Sequence, residues 1–223
     1  MSNVSETSRK VRRSELHTWG WRPVTGITSQ SELLELARSL GRPVPSPTGE
    51  LVKELTPRMS VDARRSTLSH TYAKGPFPLH TDTAFWPVPS KYIVLRARGD
   101  IRRTTTILTF ADLFREGTAD FYPSVERSIW LMRAPSKSFY CSMRFQSGGE
   151  TGWRYDGQCM SPANDAAAEV KKTLGSMLTH SRVNTIHWTG DLAVVICNWE
   201  VLHGRGPSPP NEKDRVLERI YVE

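Results

Sequence analysis

A histidine and an aspartate two residues apart, with a third ligand candidate far down the chain, limit the available folds more than any other feature. His80 and Asp82 stand in Phe77-Pro-Leu-His-Thr-Asp-Thr-Ala-Phe-Trp86, directly after the chain-breaking run Gly75-Pro-Phe-Pro78. On a strand, residues two apart point the same way, with Cα atoms about 7 Å apart. An imidazole and a carboxylate placed so are two of the three ligands of a 2-His-1-carboxylate facial triad, a donor set that suits Fe(II) and leaves positions on the ion open. The third ligand must come from elsewhere. The best candidate is His203 in Asn198-Trp-Glu-Val-Leu-His-Gly-Arg-Gly206, directly after the apolar run Leu192-Ala-Val-Val-Ile-Cys197. His-X-Asp alone has little specificity, because any strand can carry it. The ordered set of His-X-Asp, apolar strand, His-Gly-Arg-Gly and the later Arg215-X-X-X-Arg219 has much more.

The remaining sequence reads as many strands with few helices. Residues 1 to about 15 are expected to be a flexible tail, and 16–223 a single domain, a size that can bury a substantial core. Ser29-Gln-Ser-Glu32 is a capping box, and Leu33, Leu36, Ala37 and Leu40 follow at helical spacing until Gly41 and Pro43 stop the helix. Residues 43–49 read as an extended linker or surface loop. Strands are expected at Thr67–Tyr72, Tyr92–Ala97, Thr104–Phe110, Ser138–Phe145, Trp153–Asp156 and Val216–Val222. Thr185–Trp188 and Leu192–Cys197 are expected to form a hairpin. Ser161 as N-cap and Pro162 in the first turn predict a helix to about His180, buried through Val170, Leu174 and Leu178. This pattern predicts a mainly β chain with peripheral helices, a double-stranded β-helix of the cupin-like jelly-roll type.

Composition excludes several classes. No apolar run approaches the roughly 18 residues of a membrane span, and the polar start lacks the apolar core of a signal peptide, so no membrane partner is expected and the cytoplasm is the expected location. Cys141, Cys159 and Cys197 are too few and too scattered for a disulfide framework or a thiolate zinc site. The net charge of +7, with Arg96, Arg98, Arg102 and Arg103 clustered, reads as a basic surface that favours anionic small molecules. No aromatic-basic interleaving, zinc finger or helix-turn-helix accompanies it, so a nucleic-acid partner is not expected. Oligomeric state, including a homo-oligomer, is left open.

From Thr67 to the C-terminus the chain resembles the TauD/TfdA-like family of Fe(II)- and 2-oxoglutarate-dependent dioxygenases. The resemblance implies that His80, Asp82 and His203 hold iron and are catalytic. It implies that Arg215, twelve residues after His203, grips the far carboxylate of 2-oxoglutarate, for which a planar guanidinium fork is well suited. A Thr hydroxyl about 25 residues after the first ligand joins that contact, which points to Thr105, with Thr104 and Thr106 as the adjacent registers. Arg219 would assist it or meet an anionic group on the substrate, as would Arg154, while Tyr72, Phe77 and Trp86 would wall the pocket; packing alone also accounts for such aromatics. The implied cofactors are Fe(II) and 2-oxoglutarate, with O2 as co-substrate. The implied reaction is oxidation, chiefly hydroxylation, of a small polar or anionic molecule such as an amino acid derivative, with release of succinate and CO2. Asp82 argues against the related halogenases, whose carboxylate is replaced by a small residue. The four-residue spacing of Arg215 and Arg219 departs from the six of the nucleic-acid demethylases. The competing readings are a cupin-like metalloenzyme that does not use 2-oxoglutarate, in which Arg215 has no assigned role, and a binding module with a vestigial site. Neither substrate identity nor the choice between hydroxylation and desaturation is encoded in these motifs.

Overall fold

The computed structural model describes residues 11, 13–56, 75–99, 101–135, 137–206 and 216–223. The expected strand at Thr67–Tyr72 lies outside the described residues, as do His70 and Arg215.

Two antiparallel sheets face each other. The larger runs in the order β1 (Trp21–Val24), β13 (Ala193–Cys197), β5 (Tyr92–Arg98), β15 (Val216–Val222) and β2 (Pro43–Val44), with β3 (Lys53–Leu55) also on β15. The smaller runs β12 (Asn184–Trp188), β6 (Ile101–Thr109), β14 (Val201–Arg205) and β4 (Phe77–His80). Near-continuous apolar runs such as Tyr92–Ala97 arise because the central strands are buried on both faces. Ile93, Leu95 and Ala97 point between the sheets, with Ile107, Val194, Ile196 and Leu217. Tyr92 and Val94 point outward beneath the helices α1 (Arg13–Trp19) and α2 (Gln30–Leu40). This is the jelly roll that the strand pattern predicts.

Helix α2 forms as its capping box requires. The Ser29 hydroxyl accepts from the Glu32 amide while the Glu32 carboxylate takes the Thr28 and Ser29 amides, which lowers the Glu32 pKa to about 2. Leu33, Leu36, Ala37 and Leu40 are buried, each leucine contributing roughly 1.5–3 kcal/mol. Beneath this helix, Arg96 and Glu218 form a buried ion pair at 2.5 Å, and Gln30 donates to the other Glu218 oxygen.

Four local expectations are corrected. An ordered helix and strand, α1 and β1, precede the capping box, with Leu16 fully buried. Residues 138–145 are not one strand but two. β8 (Ser138–Cys141) pairs with β7 (Trp130–Arg133), and β9 (Arg144–Ser147) pairs with β10 (Glu150–Trp153) across Gly148 and Gly149, both at positive φ. The break falls where Met143 turns into the core and its carbonyl accepts from the Arg154 amide. Ser161 and Pro162 belong to β11 (Met160–Pro162), which pairs with β7. Asn164 is the true cap, accepting from the Ala167 amide at 3.0 Å, and the long helix begins at Asp165. Finally, β12 and β13 are not a hairpin. β12 pairs with β6 and β13 with β5 and β1, so the Thr189-Gly-Asp turn carries the chain from one sheet to the other. Helices α3 (Phe110–Glu116), α4 (Phe121–Arg127) and α5 (Asp165–His180) cover the outer face of the smaller sheet. Among the described residues no helix is long and apolar enough to cross a membrane.

Candidate metal centre

Antiparallel pairing of β4 with β14 sets His80 directly opposite His203. Opposed residues share a face, so both imidazoles point between the sheets, their ring centroids 4.6 Å apart. His80 is the last residue of β4 and Asp82 lies in the turn beyond it. The turn brings Oδ1 of Asp82 to 3.4 Å from Nε2 of His80 and Oδ2 to 3.6 Å from Nε2 of His203. One ligand atom from each of the three residues lies within 4.8 Å of the others, and all three residues are buried. Nδ1 of His80 sits 3.0 Å from the Pro78 carbonyl. A carbonyl can only accept, so Nδ1 carries the proton and Nε2 is left bare for a cation. The donor set and its arrangement fit a divalent ion of the Fe(II) or Mn(II) type.

The turn that presents Asp82 is fastened from behind. The fully buried Asn198, at the β13–β14 turn, accepts from the Asp82 amide at 3.0 Å and donates to the Asp82 and Ser90 carbonyls at 2.9 and 2.8 Å. Thr83 adopts φ 54°, the one positive φ outside glycine among the described residues. For a β-branched side chain this is a strained backbone. Its hydroxyl takes the Ser90 amide at 2.9 Å, which holds the kink. At the other end of Asp82, Nη1 of Arg219 donates to Oδ2 at 2.7 Å.

These contacts set the charges. Burial opposes ionisation of Asp82, but Arg219 and then the two histidines outweigh it and hold the carboxyl well below its usual range. Burial also opposes protonation of His80, yet the hydrogen bond and charge of Asp82 prevail and raise its pKa. His203 goes the other way, because burial and the neighbouring His80 and Arg219 overcome its contact with Asp82. Of the two imidazoles, His80 is therefore the one whose protonated form the cluster favours.

The expected site residues fall into four groups. His80, Asp82 and His203 converge, and Thr105 shares their face, since β14 places Arg205 opposite Thr105 just as it places His203 opposite Ile107. This register puts Thr104 and Thr106 on the opposite face, while the Thr105 hydroxyl accepts from the Trp188 indole at 3.1 Å. Arg219 is at the centre through Asp82. Phe77 packs edge-on against the His80 ring at 4.7 Å, and Trp86 packs against Tyr221 at 5.8 Å, so both border the site. Arg154 does not face it as a free cation. Its guanidinium donates to the carbonyls of Ala84, Trp86 and Pro87 and lies over the Phe145 ring, which makes it a strap for the loop after Asp82. Tyr72 and Arg215 lie outside the described residues.

Several residues were invisible to motif reading. Asn198 belongs to the quoted His203 segment, but only the fold reveals that it reaches Asp82 and Ser90. Asp156 is buried, close enough to His80 for its charge to favour the imidazolium, and no cation among the described residues pairs with it. Arg103, read from sequence as part of a basic surface, is 1% exposed and points inward with Thr105; Arg96 is buried likewise. The period-two run Ile101, Arg103, Thr105, Ile107 was the available signal.

No family model matches the chain, and no curated protein matches it in sequence. Solved structures do. An asparagine oxygenase in complex with Fe(II), 2S,3S-3-hydroxyasparagine and succinate superposes with a TM-score of 0.76 at 15% identity, covering 94% of this chain and 78% of that one. The non-haem iron oxygenase OrfP in complex with Fe, succinate and (3R,4R)-dihydroxy-L-Arg gives 0.71 at 19% identity, covering 100% and 81%. PvcB from Pseudomonas aeruginosa gives 0.70 at 15% identity, covering 95% and 78%. The chain therefore has the fold of these iron oxygenases, as the sequence resemblance implied.

Proposed function

We propose that this protein is an Fe(II)- and 2-oxoglutarate-dependent dioxygenase that hydroxylates a small polar substrate of the amino-acid class. One observation carries the reading: two imidazole nitrogens and a carboxylate from two segments remote in sequence converge within 4.8 Å of one another, all buried. The solved structures of similar fold, which hold iron, succinate and hydroxylated amino acids, support it.

In this reading His80, Asp82 and His203 hold Fe(II). When bound, iron and 2-oxoglutarate together supply the O2-dependent oxidation of a C–H bond, with succinate and CO2 as co-products. The protein binds, orients and keeps water out. Thr105 and Arg215 are assigned to the far carboxylate of 2-oxoglutarate; for Arg215 the support is its spacing from His203 and its fork-like donor geometry. The apolar side chains packed between the sheets, Leu95, Ile107 and Leu217 among them, give the site surroundings of low dielectric. Phe77 and Trp86 are assigned to its wall. Asp156, buried and near enough to His80 for its charge to act there, with Oδ1 accepting from the Gln158 amide, is assigned to the ammonium of an amino-acid substrate.

The test is anaerobic titration of Fe(II)-loaded protein with 2-oxoglutarate, read by the weak visible charge-transfer band of the chelate. The band is expected in wild type, absent in His80→Ala, and shifted to far higher 2-oxoglutarate in Arg215→Ala. No band in iron-loaded wild type would refute the assignment and favour a cupin-like metalloenzyme that does not use 2-oxoglutarate.

A further inference from the structure

The two oxygens of Asp82 stand almost equally far from the histidine nitrogens, Oδ1 at 3.4 Å from His80 and Oδ2 at 3.6 Å from His203. Position alone gives a cation between the rings little reason to choose one oxygen over both. The choice matters. A carboxylate that grips an octahedral ion through both oxygens takes a fourth position and leaves two, where a chelating co-substrate plus O2 need three.

Arg219 breaks the tie. Its Nη1 lies 2.7 Å from Oδ2, a charge-assisted hydrogen bond to that oxygen, and Tyr221 also has a side-chain hydrogen bond with the Asp82 carboxylate. The guanidinium is fixed in place. It lies 4.6 Å from the centroid of the Tyr221 ring, and Tyr221 meets Trp86 edge-on at 5.8 Å. Its strand is paired on both sides, with Arg219 opposite Leu95 on β5 and Lys53 on β3. The Asp82 backbone is equally fixed by Asn198. Both backbones are therefore held, which keeps the guanidinium against this carboxylate.

We propose that Arg219 is a positioning residue that reserves Oδ2 of Asp82 and so restricts this carboxylate to one-oxygen ligation through Oδ1, keeping three positions on the ion open. This goes beyond a role in gripping a ligand anion, and it rests on the metal-site reading above. A hydrogen-bonded carboxylate oxygen is a poorer donor to a metal, so the ion takes the other oxygen. Without Arg219, Oδ2 is free to close onto the same ion.

The test uses Mn(II) as the probe, with the full chain and no co-substrate, and counts exchangeable water on the ion by water-proton relaxation. Wild type, Arg219→Met, Arg219→Lys and His80→Ala are compared, with thermal melts to confirm that each folds. Wild type is expected to show about three waters. Arg219→Met loses about one, a fall in relaxivity of roughly a third, and Arg219→Lys, which keeps a cationic donor, recovers most of it. An unchanged water count in folded Arg219→Met would overturn the proposal, as would only two waters in wild type. If wild type does not bind Mn(II) in a His80-dependent manner, the metal-site reading itself fails, a result distinct from either.

Discussion

Replacing Asn198 by alanine removes three hydrogen bonds at once, those to the Asp82 amide and to the Asp82 and Ser90 carbonyls. All three groups are buried, and each costs about 1–3 kcal/mol if left unpaired. The vacated carboxamide volume is large enough for one water, which can serve two of the three. The expected loss is therefore about 2–4 kcal/mol rather than the full sum. For a chain of this size each kcal/mol moves Tm by about 2–4 °C, so a fall of roughly 5–15 °C is expected in the metal-free protein. Because the same bonds aim Asp82, Mn(II) affinity measured by titration should fall about 10–100-fold. Asn198→Asp separates volume from donors. It keeps an acceptor for the Asp82 amide but turns an anion towards two carbonyl oxygens, and should be at least as damaging. A loss below about 1 kcal/mol with unchanged Mn(II) affinity in Asn198→Ala would refute the view that this side chain fastens the site.

Metal binding should depend on pH through one proton. His80 is raised above the usual 6.5 while His203 is lowered, so Mn(II) affinity should weaken about tenfold per pH unit as pH falls below the His80 value and flatten above it; a slope of two protons, or none, contradicts this. The metal-free protein behaves oppositely: stability from raised His80 is fully present below 6.5 and lost as pH rises through its folded value, while that from depressed Asp82 is present above its usual 3.8 and lost in acid. Depressed His203 adds stability that is complete only above 6.5, so denaturant midpoints without metal should peak near 6.5. Gly204→Ala would place Cβ 2.6 Å from the Phe77 carbonyl and 3.0 Å from the Thr106 hydroxyl. It should part β4 from β14, costing about 1–3 kcal/mol and weakening Mn(II) binding measured in parallel. Arg154→Met strips three donors from the loop after Asp82 and should lower stability by about 2–4 kcal/mol in the same denaturation assay.

The candidate triad was legible as a set because ligation chemistry restricts residue type, and His80, Asp82 and His203, which the fold brings together, are each flanked by strand or turn signals. Helix α2 was legible to the residue because its cap and stripe are local. What failed was pairing. Thr185–Trp188 and Leu192–Cys197 have the look of a hairpin, yet each finds its partner in a different sheet, and no local signal distinguishes the two outcomes. Ser161 looks like a cap, but pairing of β11 with β7 takes it first, and Asn164 inherits the role. Arg154 and Arg103 were misplaced for the same reason. The sequence reveals a cation, while only the tertiary fold decides whether it meets solvent, a ring or a row of carbonyls. Asn198 and Asp156 carry no motif of their own, since a carboxamide or carboxylate becomes informative only once the strand it reaches is known.

The facing of His80 and His203 across one ladder has a kinetic consequence. A slip of one residue between β4 and β14 would turn one ring towards the helices, so an ion that needs both rings can bind only the correctly registered sheet. That ladder joins segments remote in the chain, a pairing whose closure entropy must be met before any reward. We predict that this ladder completes after the folding barrier, which low φ-values in β4 and β14 would show. An ion seated there should leave the folding rate unchanged and slow unfolding almost in full measure, making the metal a determinant of the protein's lifetime as well as of its chemistry.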